Sequence, residues 1–160
     1  NNNPKEDILE YKRKTGIISK QIDVSAALII QDNRILLTRR KPGESQAGYW
    51  EFPGGKLEDT ETAQQCLERE LVEELNLETS ASDIFTSSIY QYPDGKQVHL
   101  IAIFATILSG EIRLKVHDRY AWVPIAELLN YSLAPADIPI AKELQTYFTS
   151  SEERDRKSKC

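Results

Sequence analysis

Glutamates stand at positions 70, 73 and 74, directly after Arg69, and another stands upstream at position 61. On a helix turning about 100° per residue, Glu70, Glu73 and Glu74 fall within one arc of roughly 100°. Carboxylates packed that closely repel one another, and a divalent cation neutralises them. Oxygen-only donors suit Mg²⁺, with Mn²⁺ as the alternative. A cation held this way can bridge phosphate oxygens and activate a water. Taken alone, a Glu-rich helix face is more often solvated surface carrying i,i+4 pairs. The argument for chemistry therefore rests on the spacing of the whole segment.

That segment is Gly55-Lys-Leu-Glu-Asp-Thr-Glu61, seven residues, then Arg69-Glu70-Leu71-Val72-Glu73-Glu74-Leu75-Asn76-Leu77. It resembles the Nudix box: Gly, five residues, Glu, seven residues, Arg-Glu, an aliphatic, any residue, Glu-Glu, any residue, Gly, an aliphatic. Asn76 is the one departure, where the family has glycine. A glycine there would end the helix in the left-handed region, and Asn is the next-best residue for that conformation. The departure touches helix termination and leaves the acidic positions in place.

The resemblance implies a hydrolase acting on a nucleoside diphosphate linked to another group. It implies Glu70, Glu73, Glu74 and the Gly55 carbonyl as metal ligands, with Glu74 also positioning or deprotonating the water. Arg69 would orient a glutamate through a charge-assisted hydrogen bond. Glu61 is either an outer ligand or the salt-bridge partner of Arg69. Phe52-Pro-Gly-Gly-Lys56 looks like the same segment in MutT-type members, which makes Lys56 a candidate for the leaving phosphate. Arg40, in Thr38-Arg-Arg40, is a candidate phosphate contact, although arginines at strand ends are commonly solvated.

Leu133-Ala-Pro-Ala-Asp-Ile-Pro139 is similar to the segment before the last helix of MutT-type triphosphate pyrophosphohydrolases, and closer still to the branch acting on CTP. Trp50, Glu51 and His99-Leu100 fit that branch too. By this resemblance Asp137 reads the base. An ionised Asp only accepts, which suits an exocyclic amino group such as cytosine N4, whereas a protonated one can donate to a keto oxygen. The competing role for Asp137 is the N-cap of the last helix. Some relatives carry a further catalytic Glu in the loop before the strand holding Trp122, and Val116 aligns there. Asp118 and Glu111 are substitute carboxylates. His117 beside Asp118 could be a base, although a lone loop histidine usually lies at the surface.

The elements that must position these residues follow from patterning. Ile22 to Ile30 reads as a buried strand, and Gln31 to Arg34 as a turn into a returning strand, Ile35 to Thr38. Lys41 to Gly48 is a loop. Tyr49 to Phe52 is a short strand stopped by Pro53-Gly54-Gly55. The acidic helix is expected from Asp59 or Thr60, either of which can cap it, to Leu75. Leu67, Leu71 and Leu75 make an apolar stripe beside its acidic arc. Asp83 to Tyr92 and Val98 to Leu108 are strands joined through Pro93-Asp94-Gly95. Glu111 to Leu114 and Tyr120 to Val123 are further strands, Pro124 opens a short helix, and Asp137 begins a last helix ending at Tyr147 or Phe148.

Periodicity alone supports a mixed α/β chain; the resemblance implies an α/β/α sandwich with a mixed β-sheet. The expected organisation is an N-terminal arm over 1–21, one domain over 22–148 and a charged, disordered tail over 149–160.

The chain has 160 residues, 40% hydrophobic and 28% charged, enough for one domain with a core. Its net charge of −5 argues against binding nucleic-acid polymers, although a free nucleotide chelated to Mg²⁺ remains a compatible partner. Two cysteines, Cys66 and Cys160, have no metal-type spacing, which points to a reducing cytoplasm. No apolar run is long enough to span a membrane.

The expectation is a Mg²⁺-dependent hydrolase converting a (d)NTP to the monophosphate and pyrophosphate, on a CTP, 5-methyl-dCTP or 8-oxo-dGTP type substrate. Such an enzyme would clear damaged or surplus nucleotides as a monomer or homodimer. Two alternatives are an enzyme of the same fold acting on ADP-ribose or dinucleoside polyphosphates, and a non-catalytic nucleotide-binding module. The intact set of box glutamates argues against the module.

Overall fold

The computed structural model describes residues 20–158. Two four-stranded sheets form its centre. The first has the order β5-β1-β7-β6, with β1 (Lys20–Leu28), β5 (Gly54–Lys56), β6 (Glu78–Gln91) and β7 (Lys96–Ser109). In it β1 runs parallel to β7, while β5 and β6 are antiparallel to their neighbours. The second sheet joins β2 (Ile30–Gln31), β3 (Arg34–Arg40) and β4 (Trp50–Glu51), and β8 (His117–Pro124) pairs with β3. Helix α1 spans Ala63–Leu75 and helix α2 spans Asp137–Ser158, with a 3₁₀ turn over Ile125–Asn130.

Alternation along the strands feeds two cores. In β1, Ala26 and Leu28 enter a cluster with Ile140, Ala141 and Leu144 of α2. Ala27 and Ile29 enter another with Leu67, Leu71 and Leu75 of α1. Strand β3 splits the same way, Ile35 and Leu37 to one side and Leu36 to the other. Successive side chains point to opposite faces, so a strand buried on both faces must be apolar throughout. Helices therefore cover both faces, as an α/β/α sandwich requires.

Several local expectations change. The acidic helix is capped by Thr62, not Asp59 or Thr60. Thr62 Oγ1 accepts from Gln65 N–H, and Gln65 Oε1 accepts from Thr62 N–H. This reciprocal box satisfies two donors that the helix leaves open. Gly54-Gly55 does not merely end a strand: Gly54–Lys56 pairs with β1, Ser25 opposite Gly55. A Cβ at Gly54 would strike the Ser25 carbonyl, so only glycine lets β5 lie this close.

Glu111 to Leu114 forms no strand, while β8 starts three residues earlier than expected, at His117. Helix α2 continues through Ser158, where a disordered tail was expected from residue 149. After Pro139 it meets no proline or glycine, and Glu, Arg and Lys sustain a helix well. The expected N-terminal arm lies outside the described residues, except Lys20 and Gln21, which open β1. The turn at Asp32-Asn33 matches expectation, with φ of 51° and 60°. No helix among the described residues is long and apolar enough to cross a membrane.

Candidate active site

Helix α1 docks Leu67, Leu71 and Leu75 into the core, which turns Glu70 and Glu74 toward β5. Asn76 ends the helix with φ 59° and ψ 33°, in the left-handed region. A cavity of about 360 Å³ opens beside β5, where Glu70 and Glu74 face it. Its polar lining includes Glu70, Glu74, Glu51, Arg40, Lys56 and Asp137. The size suits a small organic ligand.

Arg69 organises the acidic residues. Its Nε and Nη2 donate to Glu61 at 2.6 and 2.7 Å, and its Nη1 donates to Glu70 at 2.9 Å and Glu73 at 3.2 Å. Nη2 also reaches the Lys56 carbonyl. The Arg69 hydrogen bonds and the Glu58 N–H pull the Glu61 carboxyl down to about 2. Of the two roles left open for Glu61, this geometry is that of the Arg69 partner. It ties the box loop to α1.

Glu70 and Glu74 have the opposite character. Burial raises the Glu70 carboxyl, against the pull of Arg69. Burial and the Glu70 charge push Glu74 up to about 7. Two desolvated carboxylates facing each other are costly until a cation or proton joins them. Gly55 lies against Glu70, where an added Cβ would overlap the carboxylate. The Gly55 carbonyl is met by Ser25 Oγ and Cys66 Sγ, each at 3.4 Å. Among the described residues, no three His, Cys, Asp or Glu side chains are gathered into a ready metal-binding set. Glu73, expected among the ligands, is instead drawn to Arg69 and is not part of the cavity lining.

Across the cavity sits Asp137, 4% exposed. Its Oδ2 accepts from Phe52 N–H at 2.9 Å, so the side chain is tied to the strand region rather than to its own helix. Burial, then the Glu51 charge, raises its carboxyl well above the ordinary range. Tyr92, also in the lining, is raised by burial and by Asp137.

Arg40 and Lys56 both line the cavity, as their candidate roles need. Asp118 does not. It forms a two-pronged pair with Arg39 at 2.8 and 2.7 Å on the outer side of β3 and β8. Glu111 lies at the far end of α1, where its carbonyl accepts from Asn76. Neither carboxylate is placed to serve the cavity.

His117 overturns its expectation: it is buried, and its Nε2 meets Glu51 Oε1 at 2.9 Å. Sequence reasoning gave Tyr92 no role in the site, and it named Glu51 only as fitting the branch. The signal for Glu51 was its place one residue before Phe52-Pro-Gly-Gly, on a strand edge that must face the box.

Fold and site together define a hydrolase built on a two-sheet sandwich, with a carboxylate cluster set against a ligand cavity. A NUDIX domain model matches residues 20–144, and the chain belongs to the Nudix family. The CTP pyrophosphohydrolase of Escherichia coli K12 is 40% identical over 121 residues, covering 76% of this chain and 89% of the relative. The 8-oxo-dGTP diphosphatase of Proteus vulgaris is 36% identical over 97 residues, covering 60% and 86%. The solution structure of MutT from methicillin-resistant Staphylococcus aureus 252 is 35% identical, with a TM-score of 0.66, covering 81% of this chain and 99% of that one.

Proposed function

We propose that this Nudix hydrolase cleaves nucleoside triphosphates to the monophosphate and pyrophosphate, with Mg²⁺ as its cation and a cytosine or oxidised-guanine nucleotide as preferred substrate. The carrying observation is one cavity that joins the Glu70–Glu74 pair to the buried carboxyl of Asp137. The first suits a metal-chelated phosphate chain, the second a base edge. The names of the relatives, which act on CTP and 8-oxo-dGTP, support this substrate class.

The donor set fits a hard divalent cation. Glu70, Glu74 and the Gly55 carbonyl offer oxygen alone; both carboxylates are raised chiefly by burial, and Glu74 also by the Glu70 charge. Glu73 would join by leaving Arg69. When bound, the cation neutralises phosphate charge and lowers the pKa of a water. Glu74 would accept the proton of the attacking water. Lys56 and Arg40 hold phosphate oxygens, and Arg69 keeps Glu70 in place from behind. A neutral Asp137 offers one O–H donor beside one acceptor, which matches cytosine N3 and N4, or the O6 and N1–H of a guanine. Removing damaged or surplus nucleotides would be the cellular role.

The test is a pyrophosphate-release screen with Mg²⁺ across the NTPs, dNTPs, 8-oxo-dGTP and 5-methyl-dCTP. Glu74→Gln should lower kcat about 10²- to 10⁴-fold while leaving the fold intact. No pyrophosphate from any triphosphate would overturn the reading.

A further inference from the structure

Three strands bring Glu51, His117 and Arg40 together. Glu51 ends β4, His117 opens β8, and Arg40, which pairs with His117 across the strands, ends β3. The His117 side chain is wholly buried. Its Nε2 lies 2.9 Å from Glu51 Oε1, and because a carboxylate only accepts, Nε2 carries the hydrogen. Arg40 Nη1 lies 3.6 Å from the same oxygen. Both contacts fall on Oε1; among the described residues none is made by Oε2.

Glu51 lines the cavity, and its charge is felt by Glu74 and by Asp137 alike. The residue after it, Phe52, donates its N–H to Asp137, which sets Glu51 at the Asp137 end of the same cavity that Glu70 and Glu74 line. On the nucleotide reading, phosphates at Glu70 and Glu74 and a base at Asp137 would bring the sugar to the part of the cavity that Glu51 lines. A sugar presents hydroxyl donors, which a fixed carboxylate oxygen can accept, whereas a phosphate placed there would be repelled.

We propose that His117 is a positioning residue, holding Glu51 by one oxygen so that the other accepts a hydrogen bond from a sugar hydroxyl of the bound nucleotide. The proposal rests on the nucleotide-hydrolase reading above. Glu51 contributes specificity for an intact sugar, and His117 sets its aim. Arg40 stands close enough to moderate the Glu51 charge near the phosphates.

Binding of non-hydrolysable ligands isolates this contact from catalysis. The probes are the α,β-methylene analogues of CTP and 8-oxo-dGTP, each compared with its 2′,3′-dideoxy form by titration calorimetry with Mg²⁺. Wild type should bind a hydroxylated form about tenfold more tightly than its dideoxy form, the size of one charge-assisted hydrogen bond. In His117→Ala that ratio should fall close to one. In His117→Gln, whose amide can donate from near the Nε2 position, most of the ratio should remain. A merely structural role for His117 would lower affinity for both forms and leave the ratio unchanged, which overturns the proposal. So does a wild type that binds both forms equally. Should His117→Ala not fold, Glu51→Gln is read in its place by the same criterion. Failure of wild type to bind either triphosphate analogue overturns the nucleotide reading itself; binding without preference overturns this inference alone.

Discussion

Burial decides the chemistry of Asp137. The same residue type in the box loop, Asp59, sits in solvent, while Asp137 is enclosed beside Glu51 and held by one backbone N–H. Its carboxyl is raised, so the folded protein holds that proton more tightly than the unfolded chain, whose Asp titrates at about 4. The stability this contributes is fully present below that value. It is lost as pH rises toward the folded value. Asp137→Asn cannot ionise and still offers an acceptor to Phe52 N–H. The melting temperature of the variant minus that of wild type should thus be more positive at pH 8 than at pH 4.5. Thermal melts at the two pH values check this, and an equal or reversed difference would refute it. The residue types of this site were legible before folding was considered, as Glu70, Glu74, Lys56, Arg40 and Asp137 attest. Their environments were not, because desolvation depends on segments distant in sequence.

At the scale of elements, β5 is where two glycines do different jobs. A Cβ on Gly54 would meet backbone, the Ser25 carbonyl and carbons of β1, which cannot move without unpairing the strands. A Cβ on Gly55 would meet the Glu70 side chain, which can rotate away. Gly54→Ala should therefore cost much stability, above about 2 kcal/mol by the scale of overpacked sites. Gly55→Ala should cost less, yet lose most activity, since Glu70 would be displaced from its place against Gly55. Denaturant unfolding alongside pyrophosphate release separates the two, and equal stability losses would contradict the argument. The helix ends teach a related lesson. Asn76 could be read as a left-handed terminus from its type and position. The start at Thr62 was equally open to reading, because Thr62 and Gln65 form a local signature, but Asp59 and Thr60 offered competing caps.

For the whole molecule, the proposed cation site would couple α1 to β5, since Glu70 and Glu74 come from the helix and the Gly55 carbonyl from the strand. Ligands that bind only the folded state stabilise it by RT ln(1 + [L]/Kd), about 2.7 kcal/mol at a hundredfold excess over Kd. Mg²⁺ should raise the melting temperature of wild type, EDTA should reverse the rise, and Glu70→Gln with Glu74→Gln should abolish it. A rise that survives the double substitution would place the ion elsewhere. By itself the sequence determined the acidic helix, its apolar stripe, the hairpins and the family, because those signals lie within short spans where spacing and periodicity are read directly. Only the tertiary structure decided that Asp118 belongs to Arg39, that Glu61 is taken by Arg69, and that His117 is buried against Glu51. Each of those outcomes joins residues from 8 to 79 positions apart. Strand register brings Arg39 to Asp118 and His117 to Glu51, where a shift of one residue would turn each side chain to the opposite face, and the docking of α1 beside the box loop brings Arg69 to Glu61.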